Sequence, residues 1–254
     1  MKIYPSGEGV AHWRGVSFCD ELEFDVFIKG PVNERITDST FMDGFEQDLL
    51  GLATTDMERE TVREILDSDP PPPDWAVGEA MAECLLEGEY GASWPWNENR
   101  DMKTPRASLP GADIVGLIGE GEEIRFLFGE VKTSSDAKRP PGVMSGRSGL
   151  VHQLDTLRSD VSVLRKLIIY LGARCKGTSF EASFNIAAKR MIASGGKDIE
   201  LVGILLRDTE PHEDDLRTRG QALASHPVPP RVRLDCWYMP RPISEWVALA
   251  TAPK

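Results

Sequence analysis

Residues 112–132 read "ADIVGLIGEGEEIRFLFGEVK", two apolar segments joined by a glycine-rich turn. The segments are rich in β-branched and aromatic residues, and "GEGEE" between them is typical of a hairpin connection. We therefore predict that 112–118 and 124–132 are adjacent antiparallel strands. Three charged residues, Asp113, Glu130 and Lys132, interrupt these apolar segments. Burying an unpaired charge costs several kcal/mol, so charges at these positions need a chemical explanation.

Strand geometry predicts that the three charges meet. Side chains repeat every two residues along a strand, so Glu130 and Lys132 share one face of the second strand. Asp113, on the neighbouring strand, can reach the same place. Carboxylate oxygens are the ligands that hard cations such as Mg²⁺ prefer, and such ions keep water that can be deprotonated. We expect Mg²⁺ or Mn²⁺ at Asp113 and Glu130, with the Val131 backbone carbonyl as a further ligand. Lys132 is expected to orient the attacking water or to stabilise charge on a phosphate.

The rest of the chain predicts one α/β domain with a mixed sheet and an N-terminal elaboration. Helices are predicted at 54–69, 74–91, 150–172 and 183–194 and in "ISEWVALAT", and strands at 22–28, 199–207 and 231–239. Asp74 is the expected N-cap of the second helix, and Gly88 or Gly91 lies near its end. The proline run 70–73 resembles a rigid spacer. We therefore divide the chain into an acidic elaboration, 1–73, and a main domain, 74–254.

Composition is ordinary for a soluble globular protein, with 254 residues, 41% hydrophobic and 28% charged. The N-terminus has no apolar signal-peptide core, and no apolar run approaches the length of a membrane span, so neither is expected. The four cysteines lie far apart without a Cys-x-x-Cys pair. This spacing favours reduced thiols in a cytoplasmic protein.

Charge is unevenly distributed around a net value of −12. From Asp20 to Glu89 there are 20 acidic residues against 4 basic ones. From Arg125 to Lys176 there are 10 basic residues against 4 acidic ones. The basic segment is a candidate for contacts with a phosphate backbone, and the acidic one for a surface that faces a partner or mimics DNA. The alternative is that both are solvated surfaces.

A long loop, 93–111, contains "WPWNENRD" and is flanked by basic residues. Aromatic rings beside basic and amide groups suit the stacking of nucleic-acid bases. Packing of the Trp-Pro-Trp segment against the protein's own core is the favoured alternative. Arg100 and Arg106 are candidate phosphate contacts.

These motifs resemble those of the PD-(D/E)XK nuclease superfamily, over about residues 75–172 and a last strand. Asp113 in "PGAD" matches the first acidic position, although Gly-Ala-Asp replaces Pro-Asp, and "GEVK" supplies Glu130 and Lys132. The superfamily pattern also has an acidic residue on the preceding helix, here Glu79 or Glu83 in "GEAMAECLL". One of them, with Glu79 favoured, is expected to complete the metal shell directly or through water. It often has Gln or Lys on the following helix, matched by Gln153 in "LVHQLDTL". The resemblance implies a restriction-endonuclease-like core and a Mg²⁺-dependent phosphodiesterase that cleaves DNA.

The order of these segments is also similar to the HamA-type nuclease effectors of the Hachiman antiphage system. That resemblance implies a nuclease restrained by a helicase partner and released when phage DNA intermediates appear. Two other functions remain open: a sequence-specific restriction endonuclease that cuts without a partner, and a non-catalytic nucleic-acid-binding scaffold. No Walker A motif, Ser-His-Asp triad or Cys-His pair stands out in the sequence.

Overall fold

The computed structural model describes residues 2–4, 11–18, 20–66, 71–102, 111–225 and 230–252. The sequence interpretations that concern Cys19, Pro70 and Arg106, like residues 67–69 of the predicted helix and 103–110 of the loop, fall outside these ranges.

A mixed sheet of six strands forms the centre of the molecule. The structure thus confirms the predicted mixed sheet of an α/β protein. The strands are β1 (Lys2–Tyr4), β2 (Ala11–Ser17), β3 (Ile114–Ile118), β4 (Arg125–Ser134), β5 (Glu200–Arg207) and β6 (Arg231–Tyr238). Their order across the sheet is β1-β2-β6-β5-β4-β3. Strands β2, β6, β5 and β4 run parallel, and β1 and β3 are antiparallel to their neighbours at the two edges.

Ten α-helices accompany the sheet in the described ranges. They are α1 (Glu21–Phe27), α2 (Asn33–Thr37), α3 (Ser39–Leu52), α4 (Asp56–Leu66), α5 (Asp74–Tyr90), α6 (Leu150–Ser159), α7 (Val161–Cys175), α8 (Glu181–Ala193), α9 (Arg217–Ala224) and α10 (Trp246–Ala250). A π-helical turn, Ile28–Val32, joins α1 to α2, and short 3₁₀ turns occur in several loops. None of the helices in these ranges combines the length and apolar composition needed to cross a bilayer.

Helices cover both faces of the sheet, and two hydrophobic cores result. Along β4 the buried side chains alternate, because successive residues of a strand point to opposite faces. Phe126 and Phe128 pack with residues of α6, α7 and α8, whereas Leu127 and Val131 pack with residues of α1, α5 and α10. The molecule therefore has three layers, helix–sheet–helix, with β4 and β5 buried near its centre.

The prediction of a strand at 22–28 is wrong, since these residues form α1 and the start of the π-helical turn. The apolar residues alternate in sequence, but the buried ones recur every fourth position. These fully buried positions are Phe24, Ile28 and Val32. Leu22 and Val26, which an amphipathic strand would bury on the same face, are 70% and 65% exposed. The Asp20 carboxylate accepts a hydrogen bond from the Leu22 N–H at 2.7 Å, which caps and starts the helix.

The single long helix predicted at 150–172 is two helices, α6 and α7. They are separated at Asp160, whose backbone has the extended conformation φ −92°, ψ 97°. Its carboxylate accepts hydrogen bonds from the backbone N–H groups of Ser162, at 2.8 Å, and Val163, at 3.4 Å. Asp160 therefore acts as the N-cap of α7, and the apolar period runs through the break without revealing it.

The N-terminal part of the chain contributes to the common sheet. The sequence did not predict β2, which pairs in parallel with β6 from Ala11 opposite Val232 to Ser17 opposite Tyr238. The boundary at residue 73 stays a prediction, although the sheet and the core extend across it.

The structure tests two local predictions, the ends of the helix at 74–91 and the reduced state of the cysteines. The helix predicted at 74–91 is α5, but Pro73 rather than Asp74 is at its N-cap, and Gly91 ends it with a left-handed φ of 64°. Among the described cysteines, Cys84, Cys175 and Cys236 are free thiols.

Candidate active site

The offset between β3 and β4 creates the site. β3 begins at Ile114, opposite Gly129, so residues 130–134 of β4 extend beyond it. Asp113 lies just before β3, and its carboxylate accepts a hydrogen bond from the Val131 N–H at 2.9 Å. Because the N–H and C=O of one strand residue point to the same edge, the Val131 carbonyl also faces the side on which Asp113 lies.

The structure brings together the three charged residues of the two strands. The Asp113 and Glu130 carboxyl groups lie close enough to interact, and the Asp113 charge contributes to raising the pKa of Glu130. The Lys132 ammonium donates to Glu130 Oε1 at 2.5 Å. The Glu130 side chain is 8% exposed and that of Lys132 is 23% exposed. Two carboxyl groups and one ammonium therefore share a largely desolvated corner at the edge of the sheet.

A glycine allows α5 to approach this corner closely. A Cβ added to Gly78 would lie 2.9 Å from the Thr133 methyl group on β4, so even alanine would push the helix away. The close packing places Glu79, the next residue, in a cavity of about 410 Å³ that Asp113, Val131 and Lys132 also line.

The sequence does not distinguish Glu79 from Glu83 as the helix carboxylate of the site, but their surroundings differ. Glu83, one turn after Glu79, forms an ion pair with Arg35 of α2. Arg35, Glu79 and Glu83 border a small cavity of about 30 Å³ together with Asp113. Glu83 is thus held by a cation, whereas Glu79 faces Asp113; which of them serves a metal ion stays a prediction.

Sequence reasoning missed Glu98, which borders the same small cavity. Glu98 begins a 3₁₀ turn after Asn97, whose side chain accepts from the Asn99 N–H at 3.0 Å and donates to the Arg35 carbonyl oxygen at 2.9 Å. The sequence indicates a function for this loop because of its aromatic residues, and not because of Glu98. Nothing local to the sequence distinguishes this glutamate from a solvated one.

Five carboxyl groups at the site, those of Glu79, Glu83, Glu98, Asp113 and Glu130, have raised pKa values, and burial is the largest cause for each. The pKa of Glu79 is raised to about 9, with the Asp113 charge as the next cause. That of Glu98 is raised to about 8, with the Glu83 charge next. Burial and then the Asp113 charge raise the pKa of Glu130 to about 7, and burial also raises the pKa of Asp113. Crowded carboxyl groups hold protons near neutral pH, or accept a cation in their place.

The donor set fits a hard divalent cation with two protein carboxylates. Within the described part of the chain, no group of three or more His, Cys, Asp or Glu side chains is arranged to hold a metal ion. Mg²⁺, however, is commonly bound by one or two carboxylates and completes its shell with water and substrate phosphate. Asp113 and Glu130 meet that requirement, and the Val131 carbonyl faces the same side.

Gln153 is not joined to this site by any contact in the described ranges. It lies on α6, and its amide donates to the Arg147 carbonyl oxygen at 3.0 Å. It does not line the cavities that contain Glu79 and Asp113. The proposed role of Gln153 in catalysis therefore stays a prediction from the resemblance.

The Trp-Pro-Trp segment packs against the protein. Trp94 contacts the core on the α5 face of the sheet. The guanidinium groups of Arg100 and Arg174 lie 4.8 and 5.0 Å from the Trp96 ring centroid. Arg100, a candidate phosphate contact, forms an ion pair with Asp38. These groups are engaged within the chain.

Comparison with known proteins gave no relative. A scan against protein-family models and a search of curated proteins each returned no match. The inference of function therefore depends on the geometry of the site.

Proposed function

We propose that this protein is a metal-dependent nuclease with a restriction-endonuclease-like core that cleaves phosphodiester bonds of DNA. The observation that carries the proposal is that Asp113, which accepts from the Val131 N–H, lies beside the buried ion pair of Glu130 and Lys132. The order α5, β3, β4, α6 along the chain supports the proposal, because resemblance to the PD-(D/E)XK superfamily implies an acidic helix, two motif strands and a following helix. A buried pair of carboxyl groups would only destabilise a scaffold, so its presence favours catalysis.

Asp113, Glu130 and the Val131 carbonyl would hold Mg²⁺ or Mn²⁺. When bound, such an ion polarises the phosphate and lowers the pKa of a coordinated water. Lys132 keeps its ammonium within hydrogen-bonding reach of Glu130, where it can orient the attacking water or donate to a phosphate oxygen. Glu79, which lines the same cavity as Asp113 and Lys132, can hold a proton or orient water at the cavity wall.

DNA is the proposed substrate because exposed basic residues follow β4 directly. Lys138, Arg139 and Arg147 are exposed in the segment between β4 and α6. Cations there can contact backbone phosphates and place a scissile bond at Lys132.

The test is cleavage of plasmid and labelled oligonucleotides by the purified protein with Mg²⁺, with Mn²⁺ and with a chelator. Metal-dependent cutting that Asp113→Asn abolishes is expected. RNA, duplex and single-stranded substrates define the specificity in parallel. Binding of DNA without cutting under any of these conditions would favour the scaffold alternative.

We further propose that the nuclease is a cytoplasmic antiphage effector of the Hachiman type, restrained by a helicase. The support is the helix pair α3–α4, in which no side chain is buried. It exposes five large apolar side chains: Phe41, Phe45, Leu52, Met57 and Ile65. Between residues 38 and 66 there are 8 acidic residues against 2 basic ones. Apolar side chains exposed together in a helix pair indicate a protein partner.

Co-purification with a helicase encoded beside the gene tests this second proposal. The double substitution Phe45→Ser and Ile65→Ser should break the complex, whereas Ile169→Ser and Ile192→Ser, at exposed apolar positions outside the helix pair, should preserve it. Site-specific cutting of purified DNA without any partner would instead identify a stand-alone restriction endonuclease.

A further inference from the structure

A third cavity, of about 590 Å³, lies between α1 and the C-terminal half of α5. The ends of β2 and β6 form its floor, and α1 and α5 form its walls. None of the proposed catalytic or metal-binding residues lines it. The proposed nuclease activity therefore leaves this cavity unexplained.

Aromatic rings form much of the lining. The Phe18 ring centroid lies 5.3 Å from that of Phe27 and 5.9 Å from that of Trp237. All three residues line the cavity, and Trp237 is 6% exposed. The faces of such rings carry negative electrostatic potential and attract organic cations.

Carboxylates from both walls face the same cavity. Glu23 of α1 and Glu87 and Glu89 of α5 line it, and no Lys, Arg or His does so among the described residues. Glu89 already forms a salt bridge with Arg14 at 3.0 Å. Within the described ranges, no salt bridge engages Glu23 or Glu87. Arg14 also lies 5.7 Å from the Trp237 ring centroid. Glu23 and Glu87 are therefore the carboxylates of this cavity that form no salt bridge in the described ranges.

We propose that this cavity binds a small organic cation, an ammonium group carried on a short apolar chain. The rings contact the apolar chain and the face of the cation, and Glu23 and Glu87 balance its charge. A volume of about 590 Å³ falls in the range of small-ligand sites, about 300–1,000 Å³. The ammonium group has two sources, a free amine or a lysine side chain of another protein.

Calorimetric titration of the full chain with choline and with its uncharged isostere 3,3-dimethylbutan-1-ol tests the proposal. Because the two probes have the same shape, the difference in their affinities isolates the charge. Choline should bind at least about tenfold more tightly, as expected for a cation on aromatic rings beside carboxylates. Equal affinities, or no binding of choline at millimolar concentration, would overturn the proposal.

The double substitution Glu23→Gln and Glu87→Gln should weaken choline binding about tenfold. Both residues are exposed, so the fold should tolerate the change. Glu60→Gln with Glu64→Gln, which removes the same charge from α4, should leave binding unchanged; equal effects of the two pairs would contradict a local site. Spermidine and N-acetyl-lysine methylamide, titrated separately, distinguish a free amine from a protein side chain. DNA cleavage is not needed for any of these readouts.

Discussion

At the residue scale, the decisive feature is the proximity of two carboxyl groups. Burial raises the pKa of both, and the Asp113 charge raises that of Glu130 further, to about 7. Lys132 offsets part of the repulsion. A strand pair built only for stability would place apolar residues here, because a buried charged group rarely recovers the free energy of its desolvation.

Replacing Glu130 and Lys132 together by alanine should abolish DNA cleavage and leave the fold intact. Loss of one preorganised electrostatic group typically lowers the rate about 10²–10³-fold, and Glu130 is also a proposed metal ligand. Circular dichroism should show unchanged secondary structure, since the removed groups are charges that disfavour burial. A folded double variant that cuts at the wild-type rate would refute the mechanism.

Glu79→Gln should stabilise the metal-free protein at alkaline pH. The carboxyl pKa is about 9 in the folded state against 4.5 for the free group. Between these values the folded state binds the extra proton, so stability falls as the pH rises through this window. The neutral amide removes that loss. We expect a gain above about 1.4 kcal/mol at pH 9, the equivalent of one pKa unit, that shrinks towards pH 4.5.

Urea denaturation of both proteins across that pH range measures the effect. Glu60→Gln on α4, whose side chain is exposed, serves as the matched control and should change stability little at any pH. A pH-independent difference between Glu79→Gln and the wild type would show that the carboxyl does not titrate as described.

At the scale of the element, α1 shows how a pattern misleads. Residues 22–28 alternate apolar and acidic side chains, which favours a strand with one solvated face. These residues form a helix rather than a strand because Asp20 caps the helix and because Phe24 and Ile28, one turn apart, both pack in the core shared with α5. Short apolar segments carry both periods, and tertiary contacts select between them.

The helical assignment predicts unequal costs for two apolar residues of this segment. Phe24→Ala should lower the free energy of unfolding by about 3–5 kcal/mol, because the ring is fully buried. Leu22→Ala, at an exposed position, should change it by less than about 0.5 kcal/mol. Chemical denaturation measures both, and comparable losses at the two positions would indicate a strand with a common buried face.

At the scale of the whole molecule, the site forms where three separate parts of the chain meet. The hairpin of β3 and β4, with the residue that precedes β3, supplies Asp113 and Glu130. Helix α5 supplies Glu79, and the 3₁₀ turn after the Trp-Pro-Trp segment supplies Glu98. A cation that binds there links these parts only in the folded state. Binding should therefore appear as stability of the entire fold.

Saturating Mg²⁺ or Mn²⁺ should raise the melting temperature. An ion present at 100 times its Kd adds about 2.7 kcal/mol, or roughly 5–10 °C for a chain of this size. The shift should grow with pH, because the ligands must lose their protons. Scanning calorimetry with and without metal measures it, and Asp113→Ala should eliminate it. A melting temperature that does not respond to either metal would count against the site.

The sequence alone determined the parts of the site that depend on neighbours along the chain. A glycine-rich turn between two apolar segments specifies the β3–β4 hairpin, and a strand's period of two places Glu130 and Lys132 on one face. The helix α5 and its glycine end follow from period and capping in the same way. These signals are local, so they can be read without knowing the fold.

Only the tertiary structure decided which distant groups surround those residues. Three contacts join segments far apart in the chain. Arg35 forms an ion pair with Glu83, Glu98 lines a cavity with Glu79 and Asp113, and β2 pairs with β6. No local propensity encodes such contacts, because each depends on how helices pack on the sheet and which face they bury. The charge of an isolated glutamate is the same in a solvated loop and at this site; burial and neighbouring charge, which only packing supplies, make the difference.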